Sequence, residues 1–181
     1  MSKRAIIVVD LQNDYLATGR FPLVGIDAAL ENAARVVDAA RQSGDLVINV
    51  RHESAADGPF FAVGTEGAEI ISKMAPWDGE AVITKRYPNS FRETELADIL
   101  SSAGVDEVTV VGAMSHMCID ATARAASDLG FKTTVVEDAC STRDLEFRGE
   151  VVSADKVHTA YMSALAVGYG RVVSTEEYLA N

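Results

Sequence analysis

The chain has 181 residues, a formal net charge of −11 and two cysteines. The surplus of negative charge argues against nucleic acid or an anionic membrane surface as a partner, and two cysteines make no disulfide framework, which points to a reducing, cytoplasmic setting. An apolar share of 48% with a mean hydropathy of +0.09 describes a globular chain whose residues 1–181 read as one domain, with no run long enough to cross a membrane.

The first element is the apolar run at residues 5–9, which stops at Asp10. The Met-Ser-Lys-Arg ahead of it gives a superficial likeness to a signal peptide. The run is short, ends in a charge and has no cleavage site, so a strand fits better. A loop with Tyr15, Gly19, Phe21 and Pro22 follows. Residues 26–43 then place Ile26, Leu30, Ala33, Val36, Val37 and Ala40 at helical spacing before Gly44. Residues 46–50 read as the second strand, 51–65 as a long aromatic-bearing loop, and 81–85 as the third strand, ending at Lys85. A helix at 93–103 ends at Gly104, the fourth strand spans 108–112, and a helix at 117–129 ends at Gly130. The fifth strand at 131–137, a helix at 154–167 and a short sixth strand at 171–174 complete the chain. This alternation predicts an α/β fold, three-layered and doubly wound about a parallel sheet with right-handed crossovers. No G-x-G-x-x-G follows the first strand, so a dinucleotide is not indicated.

Parallel strands of such a sheet deliver their last residues to one edge, where open α/β folds place ligands. Asp10, Lys85 and Cys118 would meet there: an acid, a cation and a thiol. The aspartate can take the thiol proton, and the ammonium and the first turn of the following helix both favour a thiolate. Each residue has a plainer reading, since aspartate forms turns, strand-end lysines are solvated and free cysteines pack in cores. Their coincidence is the informative point.

The strings that carry these residues resemble those of the isochorismatase-like cysteine hydrolases, a superfamily that includes nicotinamidases, N-carbamoylsarcosine amidase, biuret hydrolase and the isochorismatases. The similarity spans nearly the whole chain. It rests on D-x-Q-N-D (Asp10, Gln12, Asn13, Asp14), on the strand-end lysine with N/S-x-F (Lys85, Asn89, Ser90, Phe91), and on the run from Gly112 to Cys118 leading into a helix with Thr122 and Ala125-Ala126. The resemblance implies strand order 3-2-1-4-5-6 and a cis peptide between Ala113 and Met114. It also implies an oxyanion hole formed by the backbone N–H groups of Met114 and Cys118. By the same analogy Cys118 attacks a carboxamide-type carbonyl, Asp10 carries the proton to the leaving amine, Lys85 orients both, and water cleaves the thioester. Family members are commonly dimers or tetramers, so a homo-oligomer is expected.

Departures from the family pattern narrow the reaction. Nicotinamidases hold a metal through a D-x-H…H string after the second strand, where this chain has Asn49-Val50-Arg51-His52-Glu53. With His116 and His158 the only other histidines, neither a metal nor any other cofactor is expected. Nicotinamide is accordingly not the expected substrate. True isochorismatases lack the cysteine and use the aspartate to protonate a vinyl ether, which stays open as an alternative with Asp10 as acid. A non-catalytic binding member of the fold is a second alternative. A dithiol protein acting through Cys118 and Cys140 is a third, although no C-x-x-C is present. The expected ligand is a small molecule, with Gln12, Phe21, His52, Phe60, Asn89, Phe91 and His116 as candidate substrate contacts. Of Phe21, Phe60, Phe61, Tyr87 and Phe91, two or three are expected to line an apolar pocket. Cys140 and Trp77 read as structural.

Overall fold

The computed structural model describes residues 3–180. Its elements in chain order are β1 (Arg4–Val9), α1 (Ile26–Ser43), β2 (Leu46–His52), β3 (Ala81–Lys85), α2 (Leu96–Ala103), β4 (Glu107–Ala113), α3 (Asp120–Asp128) and β5 (Lys132–Ser141). There follow β6 (Leu145–Phe147), β7 (Glu150–Val152), α4 (Ala154–Gly168), β8 (Arg171–Val173) and α5 (Thr175–Leu179). Six strands form one parallel sheet in the order β3-β2-β1-β4-β5-β8. The winding is the expected one. The label of the edge strand differs because a two-stranded antiparallel hairpin, β6–β7, intervenes in sequence.

The sheet forms because its central strands are apolar on both faces. Along β1, Ile6 and Val8 face one layer and Ala5, Ile7 and Val9 the other, and each is at most 2% exposed. The first layer is filled by Leu30, Ala33, Val36 and Val37 of α1, with Tyr178 of α5 packed at its margin. The second takes Leu96 and Leu100 of α2, Ile119, then Ala123 and Ala126 of α3, and Met162 and Leu165 of α4. No helix among the described residues is long and apolar enough to cross a membrane.

Element ends moved where polar contacts or backbone geometry override periodicity. Helix α2 starts only at Leu96, because residues 89–95 are spent on local turns. The Phe91 N–H donates to Asn89 Oδ1 at 2.9 Å and Thr94 Oγ1 donates to the Ser90 carbonyl. Strand β5 runs on to Ser141 through an irregular register: Val110 pairs with Val135, but Gly112 pairs with Cys140. At Gly112 (φ 126°) β4 approaches β1 so closely that a Cβ would collide with the Val9 carbonyl oxygen. The residues after β4 are not yet α-helical. Ser115–Ile119 form a wide π turn, hung from the Met114 carbonyl, which accepts the N–H groups of Met117 (3.0 Å) and Ile119 (3.2 Å).

Candidate active site

Three adjacent strand ends and the π turn meet at the carboxyl edge of the sheet. His52 and Lys85, at the ends of β2 and β3, are paired in register, and Asp10 follows β1 directly. Asp10 has a left-handed backbone (φ 52°), a conformation that costs about 1–3 kcal/mol and that aspartate tolerates better than most residues. Its N–H donates to the Val50 carbonyl and its own carbonyl accepts the Gln12 N–H, both at 2.9 Å, which fixes the direction of the side chain.

The Lys85 ammonium has three protons and three acceptors: Asp10 Oδ2 at 2.7 Å, Cys118 Sγ at 3.3 Å and His52 Nδ1 at 3.2 Å. Burial works to lower the Lys85 pKa, but the charge of Asp10 and the contacts with Asp10 and Cys118 outweigh it, so the amine stays protonated. Burial, then the Lys85 charge, lowers His52, so its neutral ring can offer Nδ1 as an acceptor and keep the proton on Nε2. His52 therefore serves as the third partner of the lysine, a role that the sequence reading did not assign.

The thiol does not follow the sequence expectation. Burial and then the charge of Asp10 push Cys118 up, and Lys85 offsets only part of this. The resting group is a protonated thiol rather than the thiolate expected at a helix start, because Cys118 is only 7% exposed and faces a carboxylate. Its nucleophile must be made during attack, and the acceptor is at hand. Asp10 Oδ1 is buried and takes no hydrogen bond.

The turn that carries Cys118 is secured from both sides. Ser115 Oγ meets His158 Nδ1 at 2.8 Å and the Ser141 carbonyl at 3.3 Å, while His158 Nε2 meets Glu137 Oε2 at 3.3 Å. Ser90 Oγ meets Thr122 Oγ1 at 2.8 Å and ties the turn after β3 to α3. The Ala113–Met114 peptide is cis.

Beside this cluster stands an aromatic wall. Tyr15 contacts Phe61 edge-on (4.6 Å between centroids), Phe61 contacts Phe60 (4.9 Å), and Phe60 stacks on Phe21 (4.4 Å). The Arg143 guanidinium lies 4.2 Å over the Phe21 ring. Burial raises the Tyr15 hydroxyl pKa, and nearby Asp10 and Cys118 raise it further. Sequence reasoning missed Tyr15 and Arg143 as neighbours of the site. Tyr15 directly follows the string from Asp10 to Asp14, so proximity in sequence was the available signal.

Several candidate substrate contacts also make contacts within the chain. Gln12 is 0% exposed and fully committed: Nε2 donates to the carbonyls of His52 (2.8 Å) and Ala68 (2.7 Å), and Oε1 accepts the His52 N–H (2.8 Å). It is a strut between strand ends and the loop after β2. Asn89 closes the turn onto Phe91, as described above. Phe91 stacks 6.2 Å from Phe131, which stands at the opposite, amino-terminal end of β5, and joins the core under the helices. His116 Nδ1 is tied to Thr142 Oγ1 at 2.6 Å, and its ring meets Tyr161 edge-on at the rim. Phe61 is buried in the wall, and Tyr87 carries the Arg92 guanidinium at 3.7 Å. Phe21, His52 and Phe60 remain beside the cluster. Trp77, expected to pack, is 61% exposed and carries the Arg41 guanidinium on its ring. Cys140 is a core residue whose thiol donates to the Val136 carbonyl, and burial pushes it up to about 12. Among the described residues no three His, Cys, Asp or Glu side chains converge as a metal-binding group.

Comparison with known proteins agrees with this architecture. The chain is 43% identical to an uncharacterized isochorismatase family protein, YddQ, of Bacillus subtilis, over 97% of this chain and 98% of that one. It is 32% identical to a maleamate amidohydrolase of Pseudomonas putida, over 97% and 84% of the two chains. The crystal structure of an isochorismatase from Pseudomonas putida KT2440 superposes with a TM-score of 0.91 at 38% identity, covering 96% of this chain and 89% of that one. The sequence pattern of the isochorismatase domain matches residues 4–177, and the chain belongs to the isochorismatase family of hydrolases.

Proposed function

We propose that the protein hydrolyses a small amide-type substrate, a carboxamide, ureide or imide, through a thioester on Cys118. One observation carries this reading: a single buried ammonium holds Asp10 at 2.7 Å and Cys118 at 3.3 Å, while the second carboxylate oxygen has no partner. That oxygen is the base. As Cys118 attacks the carbonyl carbon, its thiol proton passes to Asp10, and the Lys85 ammonium balances the negative charge that moves between them. The oxyanion is received by the backbone N–H groups of Met114 and Cys118. Collapse of the tetrahedral adduct expels the amine, which takes the proton from Asp10. Asp10 then deprotonates water for cleavage of the thioester and is restored by the return of the proton to sulfur. The amidohydrolase relative supports a C–N bond as the target. A vinyl ether reaction would leave the thiol idle and would need as its acid a carboxylate already paired with a cation.

A panel of small amides, ureides and imides followed by ammonia release tests this function. Cys118→Ser and Cys118→Ala should both lose amide hydrolysis while keeping the native circular dichroism spectrum. Retention of most of the activity in either variant would refute the cysteine mechanism.

A further inference from the structure

An ammonium as deeply buried as that of Lys85 must give each of its three protons to an acceptor. Two of its acceptors, Asp10 Oδ2 and Cys118 Sγ, belong to groups that exchange a proton during the reaction, so both contacts change character within each cycle. The third, His52 Nδ1 at 3.2 Å, takes no part in that exchange and can hold the lysine throughout.

The backbone fixes where the ring stands. His52 ends β2 in register with Lys85 of β3, and Gln12 grips its peptide groups on both sides. Gln12 Oε1 accepts the His52 N–H and Nε2 donates to the His52 carbonyl, both at 2.8 Å. Phe61 flanks the ring with 6.2 Å between centroids. An ammonium offers donors only, so Nδ1 must be bare and the ring proton must sit on Nε2. A second proton would occupy Nδ1 and turn the acceptor into a donor aimed at a cation. The charges that act on the ring are Lys85 at the end of β3 and Asp10 after β1, of opposite sign, while the π turn contributes the Cys118 thiol, uncharged at rest. On either side of His52 in the chain, Arg51 and Glu53 pair with each other, and Arg51 also reaches Glu69.

We infer that His52 is a positioning residue: its neutral ring holds the Lys85 ammonium in reach of Asp10 and Cys118, protonation of the ring releases it, and the acid limit of the reaction belongs to His52. The inference rests on the cysteine hydrolase reading and adds its pH dependence. The competing role is a ring that only fills space against Phe61, in which case the acid limit belongs to Asp10, the proton acceptor itself. Burial, then Lys85, holds the His52 pKa below the usual histidine value. As pH falls through it, the third hydrogen bond is lost and the rate falls with it.

The link and its effect on rate are measured separately. Proton–nitrogen correlation spectra of the imidazoles, with His52 identified by its absence from His52→Asn, should show the Nε2–H tautomer at neutral pH and a titration below about pH 6.5, the unperturbed value. Lys85→Met should move that titration up and Asp10→Asn should move it down, since one removes a positive neighbour and the other a negative one. An Nδ1–H tautomer, or a titration indifferent to these substitutions, would overturn the assignment. The rate is followed with p-nitrophenyl acetate, a neutral ester. Its acetyl group passes to the Cys118 sulfur as p-nitrophenolate leaves and the thiol proton goes to Asp10, and water then frees acetate. On the acid side the unsubstituted protein should lose activity along the His52 titration. His52→Leu should lower kcat at least about tenfold at neutral pH, the lower bound for a hydrogen bond to a charged group, with KM changed less than about threefold. His52→Asn, whose Oδ1 accepts at every pH of the series, should recover most of that loss and shift the acid limb down by at least about one pH unit. Full activity in His52→Leu, or an unshifted acid limb in His52→Asn, would overturn the inference. Acetyl transfer that survives in Cys118→Ala would break the cysteine reading instead, and the spectra alone would then decide the link between His52 and Lys85.

Discussion

Replacing Lys85 by methionine keeps the alkyl stem and removes the ammonium, which isolates the electrostatic role of the residue. Lys85 and Asp10 are 1% and 0% exposed, so the variant leaves a buried carboxylate with no cation and a second oxygen newly unpaired. Breaking one partner of a buried ion pair costs about 3–5 kcal/mol, and because methionine refills the stem the lower end applies. Urea unfolding at pH 7 measures the loss. The double variant Asp10→Asn, Lys85→Met should recover at least half of the lost stability and none of the activity, which should be down by a factor of about 100 or more in every one of these proteins. A loss under about 1 kcal/mol at pH 7 would refute the buried-pair reasoning.

Alkaline stability should fall from about pH 8.5, because unfolded thiols ionise there while burial and neighbouring charge keep Cys118 and Cys140 protonated when folded, Cys140 to about 12. Each thiol contributes a slope of about 1.4 kcal/mol per pH unit, so Cys140→Ala should remove one of the two slopes in a denaturation series from pH 8 to pH 10.5, and an unchanged slope would contradict this. Gly112→Ala should cost more than about 3 kcal/mol in chemical denaturation, since both the φ of 126° and the Val9 carbonyl oppose a side chain there, and a near-neutral result would show that β4 can move away from β1. Phe147, Val151 and Val167 are 73%, 68% and 88% exposed, which supports the proposal of a homo-oligomer with closed symmetry, most simply a dimer. Light scattering at micromolar concentration that returned the 19.3 kDa mass of one chain in a fully active preparation would exclude it.

The alternation of strands and helices was legible because the buried strands are largely apolar runs, most of them closed by a charged residue or glycine, while the strand order followed from the family resemblance. The hairpin at β6–β7 was not, although Arg148-Gly149 stands between two short alternating stretches and both residues have positive φ, 54° and 84°. Its side chains are mostly exposed, so hydrophobic periodicity gave no signal. The irregular register in β5 depends on how β4 and β5 pair, which no local pattern encodes. At the site, Asp10, Lys85 and Cys118 could be read because strand ends share an edge. The protonation of the thiol could not, since it depends on burial and on the direction in which Asp10 faces. The hydrogen bonds of Gln12 and Asn89 to backbone groups were not legible either, because a polar side chain near a site looks the same in sequence whether it is free or already committed.

The five residues from Asp10 to Asp14 bear on how inactive variants should be interpreted. Asp10 belongs to the reacting cluster, but Gln12 fastens the strand ends to the loop after β2, and Asp14 accepts the Phe61 N–H at 2.6 Å and the Arg20 N–H at 3.2 Å. The acid and the aromatic wall thus hang from the same short string. An alanine scan across it would return three dead proteins of two different kinds, one lacking a proton acceptor and two with a collapsed wall around intact chemistry. Thiol alkylation tells them apart: variants at Gln12 and Asp14 would admit iodoacetamide to Cys118 more freely, since the rings that screen it would no longer be held in place.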